Sequence, residues 1–125
     1  MRLLGHSFGG QLTLLAAERD NIVRAAVTFA AAAGSWERSP ELRERLRAAA
    51  EKTTAPIMLI QAANDYSTVP SQELADELER LHKPHLLKIY PAVGQTPDDG
   101  HNFLYLAIPQ WERDVFGFLD EHVKR

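Results

Sequence analysis

Apolar and polar positions along this chain fall into blocks whose spacing changes repeatedly, and each change predicts an element. Arg2 to Leu4 offers a few residues of strand, followed by Gly5-His6-Ser7-Phe8-Gly9-Gly10 and a stretch from Gln11 to Arg19. There Phe8, Leu12, Leu15 and Ala16 recur at helical spacing and define one apolar face. The predicted order is strand, sharp turn, helix. Asp20-Asn21 breaks the helix, and Ile22 to Phe29 is dense in Val, Ile, Ala and Phe without strict alternation. That pattern predicts a second strand covered on both faces.

Ala30 to Trp36 is a connector of mostly small residues. Ser39-Pro40-Glu41 then supplies a capping hydroxyl, a proline suited to the first helical position and an early carboxylate, so a helix is predicted from there to about Lys52. Its apolar side is thin, chiefly Leu42, Leu46 and Ala49, which predicts a surface helix over 40–52, either a small cap over a site or a plain solvated helix. Pro56 opens a third strand, Ile57 to Ala62, an apolar run too short for a helix. A helix from about Pro70 to Leu81 presents Leu74, Leu78 and Leu81 on one face, and Lys83-Pro84 ends it. Leu86 to Tyr90 is the fourth strand. A loop from Pro91 to Asn102 leads to a last helix starting near Pro109, with Trp111, Val115, Phe118 and Leu119 on one side.

Strands alternating with helices imply βαβ units, so the predicted class is α/β: a three-layer α/β/α domain over 1–125 with a mainly parallel sheet of about four strands. Right-handed crossovers place every strand's carboxyl end on the same edge. Ser7, Asp65 and His101 each follow a strand, and they are predicted to converge on that rim, where open α/β sheets bind their ligands.

Composition narrows the function classes. The 125 residues carry a net charge of -3, with 45% apolar and 25% charged positions, which fits one folded core rather than a disordered chain. Charges of both signs are interspersed, so nucleic acid is not an expected partner. The absence of cysteine removes disulfides, thiolate metal sites and thiol nucleophiles together. No H-x-H or H-E-x-x-H spacing is present, and neither a metal nor another cofactor is expected. With the motif already at Gly5 no leader peptide is expected, and the stretch from Ala25 to Ala33 falls well short of the roughly 20 residues a bilayer requires. The expectation is a soluble, by default cytoplasmic, protein without a membrane partner.

The chemistry begins at Gly5-His6-Ser7-Phe8-Gly9, which matches G-x-S-x-G, the nucleophile elbow, where both flanking glycines are expected to relieve backbone crowding. A serine hydroxyl is a poor nucleophile at neutral pH and needs a base, which in turn needs a third group to orient it. Asp65 after the third strand and His101 after the fourth supply these in the order Ser, acid, His. Among the five histidines, His82 and His85 flank a helix-to-strand break, His122 is near the terminus, and His6 is expected to pack or position the turn. Asp98 and Asp99 are rival acids, but their closeness to His101 marks them as turn residues. The amide of Phe8 is the expected oxyanion donor. Trp36, Tyr66, Phe103 and Tyr105 are candidates to line an apolar substrate pocket, with packing as the alternative.

On Gly5 to Gly10, Gln61 to Tyr66 with Val69-Pro70, Lys88 to Pro91, and Asp99 to Phe103, the chain resembles the dienelactone hydrolase family and its prolyl-oligopeptidase-like relatives within the α/β-hydrolases. The resemblance implies Ser7, Asp65 and His101 as a triad and acyl transfer from a small-molecule ester, or a related carbonyl compound, to water. Serine stands where some members have cysteine, which favours ordinary ester hydrolysis over enol-lactone chemistry. Members carry several strands before the elbow, whereas here it begins at the fifth residue. The expectation is therefore a truncated α/β-hydrolase fold lacking the N-terminal strands, with only one oxyanion donor and an exposed sheet edge that favours a homodimer or higher oligomer. The alternative is a catalytically silent hydrolase half that serves as an oligomerising or complementing module.

Overall fold

The structure, a computed structural model, describes residues 1–123. Four strands, β1 (Arg2–His6), β2 (Ala25–Phe29), β3 (Ile57–Ala62) and β4 (His85–Tyr90), pair in parallel in chain order. Helices α1 (Phe8–Arg19), α2 (Pro40–Lys52) and α3 (Val69–Arg80) make the three crossovers. Because each crossover steps to the next strand in the same direction, one handedness puts all three helices on one face. The opposite face is covered by α5 (Phe103–Leu106) and α6 (Ile108–Val123), reached through the short α4 (Pro97–His101).

The period-two geometry of the strands sorts side chains into two cores. Ala26, Ile57 and Leu59 face Leu14, Leu46, Leu74 and Leu78 of the three crossover helices. Their neighbours Val27, Phe29, Met58 and Ile60 face Trp111, Val115 and Phe118 of α6. With both faces covered, β2 and β3 are buried at every position, which is why their sequences do not alternate.

The expected α/β class and parallel sheet are observed, with local differences. β2 begins at Ala25, because Asp20 accepts a hydrogen bond from the Ile22 amide at 3.1 Å and turns Ile22 out to solvent. Helix α2 is capped as expected by the Ser39 hydroxyl on the Leu42 amide at 3.1 Å. It is not a cap over a site: Leu46, Ala49 and Ala50 are buried and place it between α1 and α3, where Arg45 meets Glu18 at 2.7 Å. Small residues let it approach closely on a narrow apolar stripe.

The predicted loop before the last helix contains α4. Thr96 accepts from the Asp99 amide while Asp99 accepts from the Thr96 amide, a reciprocal cap readable in Thr96-Pro97-Asp98-Asp99. Among the described residues β1 pairs with β2 alone, and Leu4, Phe8 and Leu12 are exposed beside its free edge. No helix among the described residues is long and apolar enough to cross a membrane.

Candidate active site

β1 ends at His6 and α1 begins at Phe8, so Ser7 alone reverses the chain. It does so at φ 59°, on the side of backbone space that residues with a Cβ avoid, at a cost of about 1–3 kcal/mol. Neighbours hold it there: its amide donates to Phe29 O at 2.7 Å, and its carbonyl accepts from the Gly10 amide at 2.9 Å. The sharp turn also folds α1 back on β1, and a Cβ on Gly5 would lie 2.2 Å from the Gly9 carbonyl oxygen. Only glycine fits at position 5. The expectation for Gly9 is corrected, since a Cβ there would meet nothing within 4 Å; one step further round the helix, Gly10 is the residue that faces Ala31.

Asp65 lies in the turn after β3 with its side chain wholly buried. A buried carboxylate is costly unless its oxygens are occupied. Oδ1 accepts from the Tyr66 amide at 2.6 Å and pairs with His101 Nδ1 at 2.9 Å, and Oδ2 accepts from Gln61 Nε2 at 3.0 Å. His101 is the last residue of α4. A carboxylate only accepts, so Nδ1 carries the hydrogen and Nε2 offers a lone pair. Ser7 Oγ lies 2.8 Å from that Nε2. Ser7, His101 and Asp65, more than thirty residues apart from one to the next, thus form one continuous hydrogen-bonded series.

Four further residues build this arrangement. Gln61, the one polar side chain in β3, also donates to Ser67 O at 2.5 Å and accepts from the Ser71 amide at 3.3 Å, so it fixes the turn carrying Asp65. Asn64 accepts from the Val93 amide at 3.0 Å and donates to Val93 O and Thr96 O at 2.7 and 2.9 Å, tying the Asp65 turn to the segment that leads into α4. Gly100 packs directly on that turn, where a Cβ would lie 2.5 Å from Asn64 C and Asp65 N. His6 Nε2 lies 2.7 Å from the carbonyl oxygen of His101. Of these, Gln61 had a legible signal: a lone amide in a buried apolar strand needs partners.

A hollow of about 200 Å³ opens beside Ser7, lined by Phe8, Gln11, Ala32, Ala33, Gly34, Ser35, Tyr66 and His101. The Phe8 amide stands in the first turn of α1, where backbone N–H groups have no partner within the helix. Tyr66 forms part of the wall; its ring centre is 5.2 Å from that of His101, and its hydroxyl donates to Asp98, which pushes its pKa up. Trp36 and Phe103 do not line the hollow, which corrects their assignment to substrate binding. Trp36 is 1% exposed and donates to Glu73, and Phe103 is 2% exposed and stacks on Tyr90. Tyr105 is exposed and packs edge-on against His6 at 5.2 Å.

The parallel sheet, the helices on both faces and the turn between β1 and α1 define the chain as an α/β-hydrolase fold. Solved structures agree. An acylaminoacyl peptidase in complex with Z-Gly-Gly-Phe-chloromethyl ketone superposes with a TM-score of 0.74 at 17% identity, over 99% of this chain and 24% of that one. A predicted CIB-like hydrolase from Thermoplasma acidophilum gives 0.69 at 18% identity, over 93% and 48%. An esterase from Pyrococcus furiosus gives 0.68 at 14% identity, over 97% and 53%. The chain therefore spans about a quarter to a half of the length of these relatives. Residues 1–104 match the pattern of the dienelactone hydrolase family, and the chain belongs to that family. None of the curated proteins matches it.

Proposed function

We propose that the chain is a serine hydrolase that cleaves carboxylic esters with short acyl groups, using Ser7 as nucleophile, His101 as general base and Asp65 as its orienting acid. The observation that carries this reading is the unbroken series from Ser7 Oγ through His101, with contacts of 2.8 and 2.9 Å, to a buried carboxylate. Such a series is what an alcohol needs to become a nucleophile near neutral pH. Strain at Ser7 supports it, since a residue held against its own preference signals a functional demand.

The chemistry runs in two halves. Ser7 Oγ attacks the ester carbonyl carbon, its proton passes to His101 Nε2, and that proton leaves with the departing alcohol as the carbon–oxygen bond breaks. Water then attacks the acyl carbon and gives its proton to Nε2, which returns it to Ser7 Oγ as the acid is released. Asp65 keeps Nδ1 protonated throughout and stabilises the imidazolium. Negative charge on the carbonyl oxygen is met by the Phe8 amide, a donor typically worth a factor of about 10²–10³ in rate. The hollow of about 200 Å³ beside Ser7 has room for a short acyl group.

Labelling with a fluorophosphonate probe and hydrolysis of p-nitrophenyl esters of increasing chain length test the reading. The expected result is labelling and turnover that fall with chain length and vanish in Ser7→Ala. Equal turnover in the wild type and Ser7→Ala counts against it.

A second reading is favoured by the exposed Leu4, Phe8 and Leu12 beside the free edge of β1. On this reading the chain is silent alone and pairs through that edge with a second copy of itself. Light scattering at micromolar concentration tests it. A monomer that hydrolyses esters would exclude it.

A further inference from the structure

We infer that His6 is a positioning residue for the second half of the proposed reaction, holding His101 in place while Ser7 carries the acyl group; the inference rests on the ester-hydrolase reading above. His6 closes β1, directly before Ser7, and is half-buried. Its Nε2 lies 2.7 Å from the His101 carbonyl oxygen, and because a carbonyl only accepts, that nitrogen carries the hydrogen. The carbonyl belongs to the end of α4, where the helix supplies no further donor. The amides that follow turn elsewhere, since those of Tyr105 and Leu106 both donate to Asn102 O. The imidazole of His6 is thus a side-chain cap on the residue proposed as the base. Its ring also packs 5.3 Å from the His101 ring and 5.2 Å from Tyr105.

In the free protein His101 is held at three points: Asp65 on Nδ1, Ser7 on Nε2 and His6 on the carbonyl. Acylation removes the second. Ser7 Oγ is then bonded to the acyl carbon, its proton has left with the alcohol by way of His101, and an ester oxygen has no hydrogen to donate. Nε2 must next accept a proton from the attacking water, and of these three hydrogen bonds those of Asp65 and His6 remain to orient it. The tether from His6 grips the His101 backbone, so it does not depend on the protonation of the His101 ring and persists through both halves. Losing it slows deacylation more than acylation.

The test uses the full chain and p-nitrophenyl acetate, comparing His6→Phe, which keeps a ring without a donor, with His6→Gln, which restores a side-chain N–H. The readouts are the pre-steady-state burst of p-nitrophenol, kcat and KM separately, and intact mass for the acetylated chain. For His6→Phe, kcat and KM are expected to fall together by about three- to tenfold, the rate equivalent of one neutral hydrogen bond. The ratio kcat/KM stays within about twofold, because it reports acylation. The burst rises toward stoichiometric, acetylated chain accumulates, and His6→Gln recovers most of the deacylation rate. His6→Met gives the same donor-free comparison if circular dichroism shows the phenylalanine variant unfolded.

A burst that shrinks in step with kcat at constant KM, alike in donor-bearing and donor-free variants, would mean a smaller folded fraction and would overturn the inference. So would an unchanged partition between the two halves in an active protein. A wild type that neither acetylates nor turns over, like Ser7→Ala, overturns the ester-hydrolase reading and this role with it.

Discussion

Gln61 Nε2 donates to Asp65 Oδ2 at 3.0 Å, and both side chains are buried. The same amide serves Ser67 O and the Ser71 N–H, so one side chain secures the carboxylate, the turn after it and the first turn of α3. Replacing it with Leu keeps the bulk and strands all three partners. Gln61→Leu is expected to lose about 2–3 kcal/mol of stability, the penalty for buried polar groups left unpaired. Freed from Gln61, Asp65 orients His101 less well, and kcat for the proposed ester hydrolysis is expected to drop by about tenfold or more. Urea unfolding and steady-state kinetics on the same preparation check both parts. A variant as stable and active as wild type would show the amide to be dispensable.

Gly100 makes the corresponding contact from the other side. Its missing side chain lets α4 touch the Asp65 turn, and a Cβ would be 2.5 Å from two backbone atoms that have no room to move. Gly100→Ala is expected to push His101 away from Asp65 and Ser7 rather than unfold the sheet. Overpacking of this kind costs about 1–3 kcal/mol, whereas a displacement near 1 Å at a reacting group costs about 10²-fold in rate. Activity should therefore collapse while circular dichroism keeps its wild-type form. The reverse pattern, lost structure with normal specific activity in the folded fraction, would contradict the geometry.

The parallel sheet and the rim where Ser7, Asp65 and His101 meet follow from local periodicity and the handedness of crossovers, both carried by short stretches of chain. Trp36 and Phe103 are ambiguous in sequence because an aromatic residue after a strand has the same local pattern whether it turns toward a hollow or into a core. Only the opposing layers decide, and here they supply Glu73 for Trp36 and Tyr90 for Phe103. The contacts of His6, Asn64 and Gly100 cross between segments far apart in sequence, so no local signal marks them. Helix α4 is the opposite case: its cap lies in Thr96-Pro97-Asp98-Asp99, among prolines and glycines that carry an equally strong loop signal.

Asp99 links that cap to pH. Its carboxylate accepts from the Gln95 amide at 2.8 Å and from the Thr96 amide at 3.2 Å, and these bonds, that of Gln95 foremost, hold its pKa below the ordinary carboxylate value of 3.8. A carboxylate held low by folding stabilises the folded chain above its unfolded pKa, and the contribution is lost as pH falls through the lower, folded value. The loss is therefore confined to pH below about 4. Asp99→Asn removes this dependence. Thermal unfolding at pH 6 and pH 3 should show a larger drop in Tm for the wild type than for the variant, and equal drops would remove Asp99 from the acid response.

Thr28 offers a change that should stabilise the protein. It lies in β2 opposite Gly5 of β1, its residue has no exposed surface, and among the described residues its hydroxyl has no hydrogen-bond partner. A buried hydroxyl without a partner forfeits its hydration and gains nothing in return. Valine has nearly the same shape and the same branched Cβ, which suits a fully covered strand. Thr28→Val is expected to add about 1 kcal/mol, or about 4 °C in Tm for a chain of this size. The backbone of Phe29, which holds the Ser7 amide, is untouched, so ester hydrolysis should stay at the wild-type level. A fall in Tm would mean that the hydroxyl is bonded in solution, and the gain would then have to be sought elsewhere in the core.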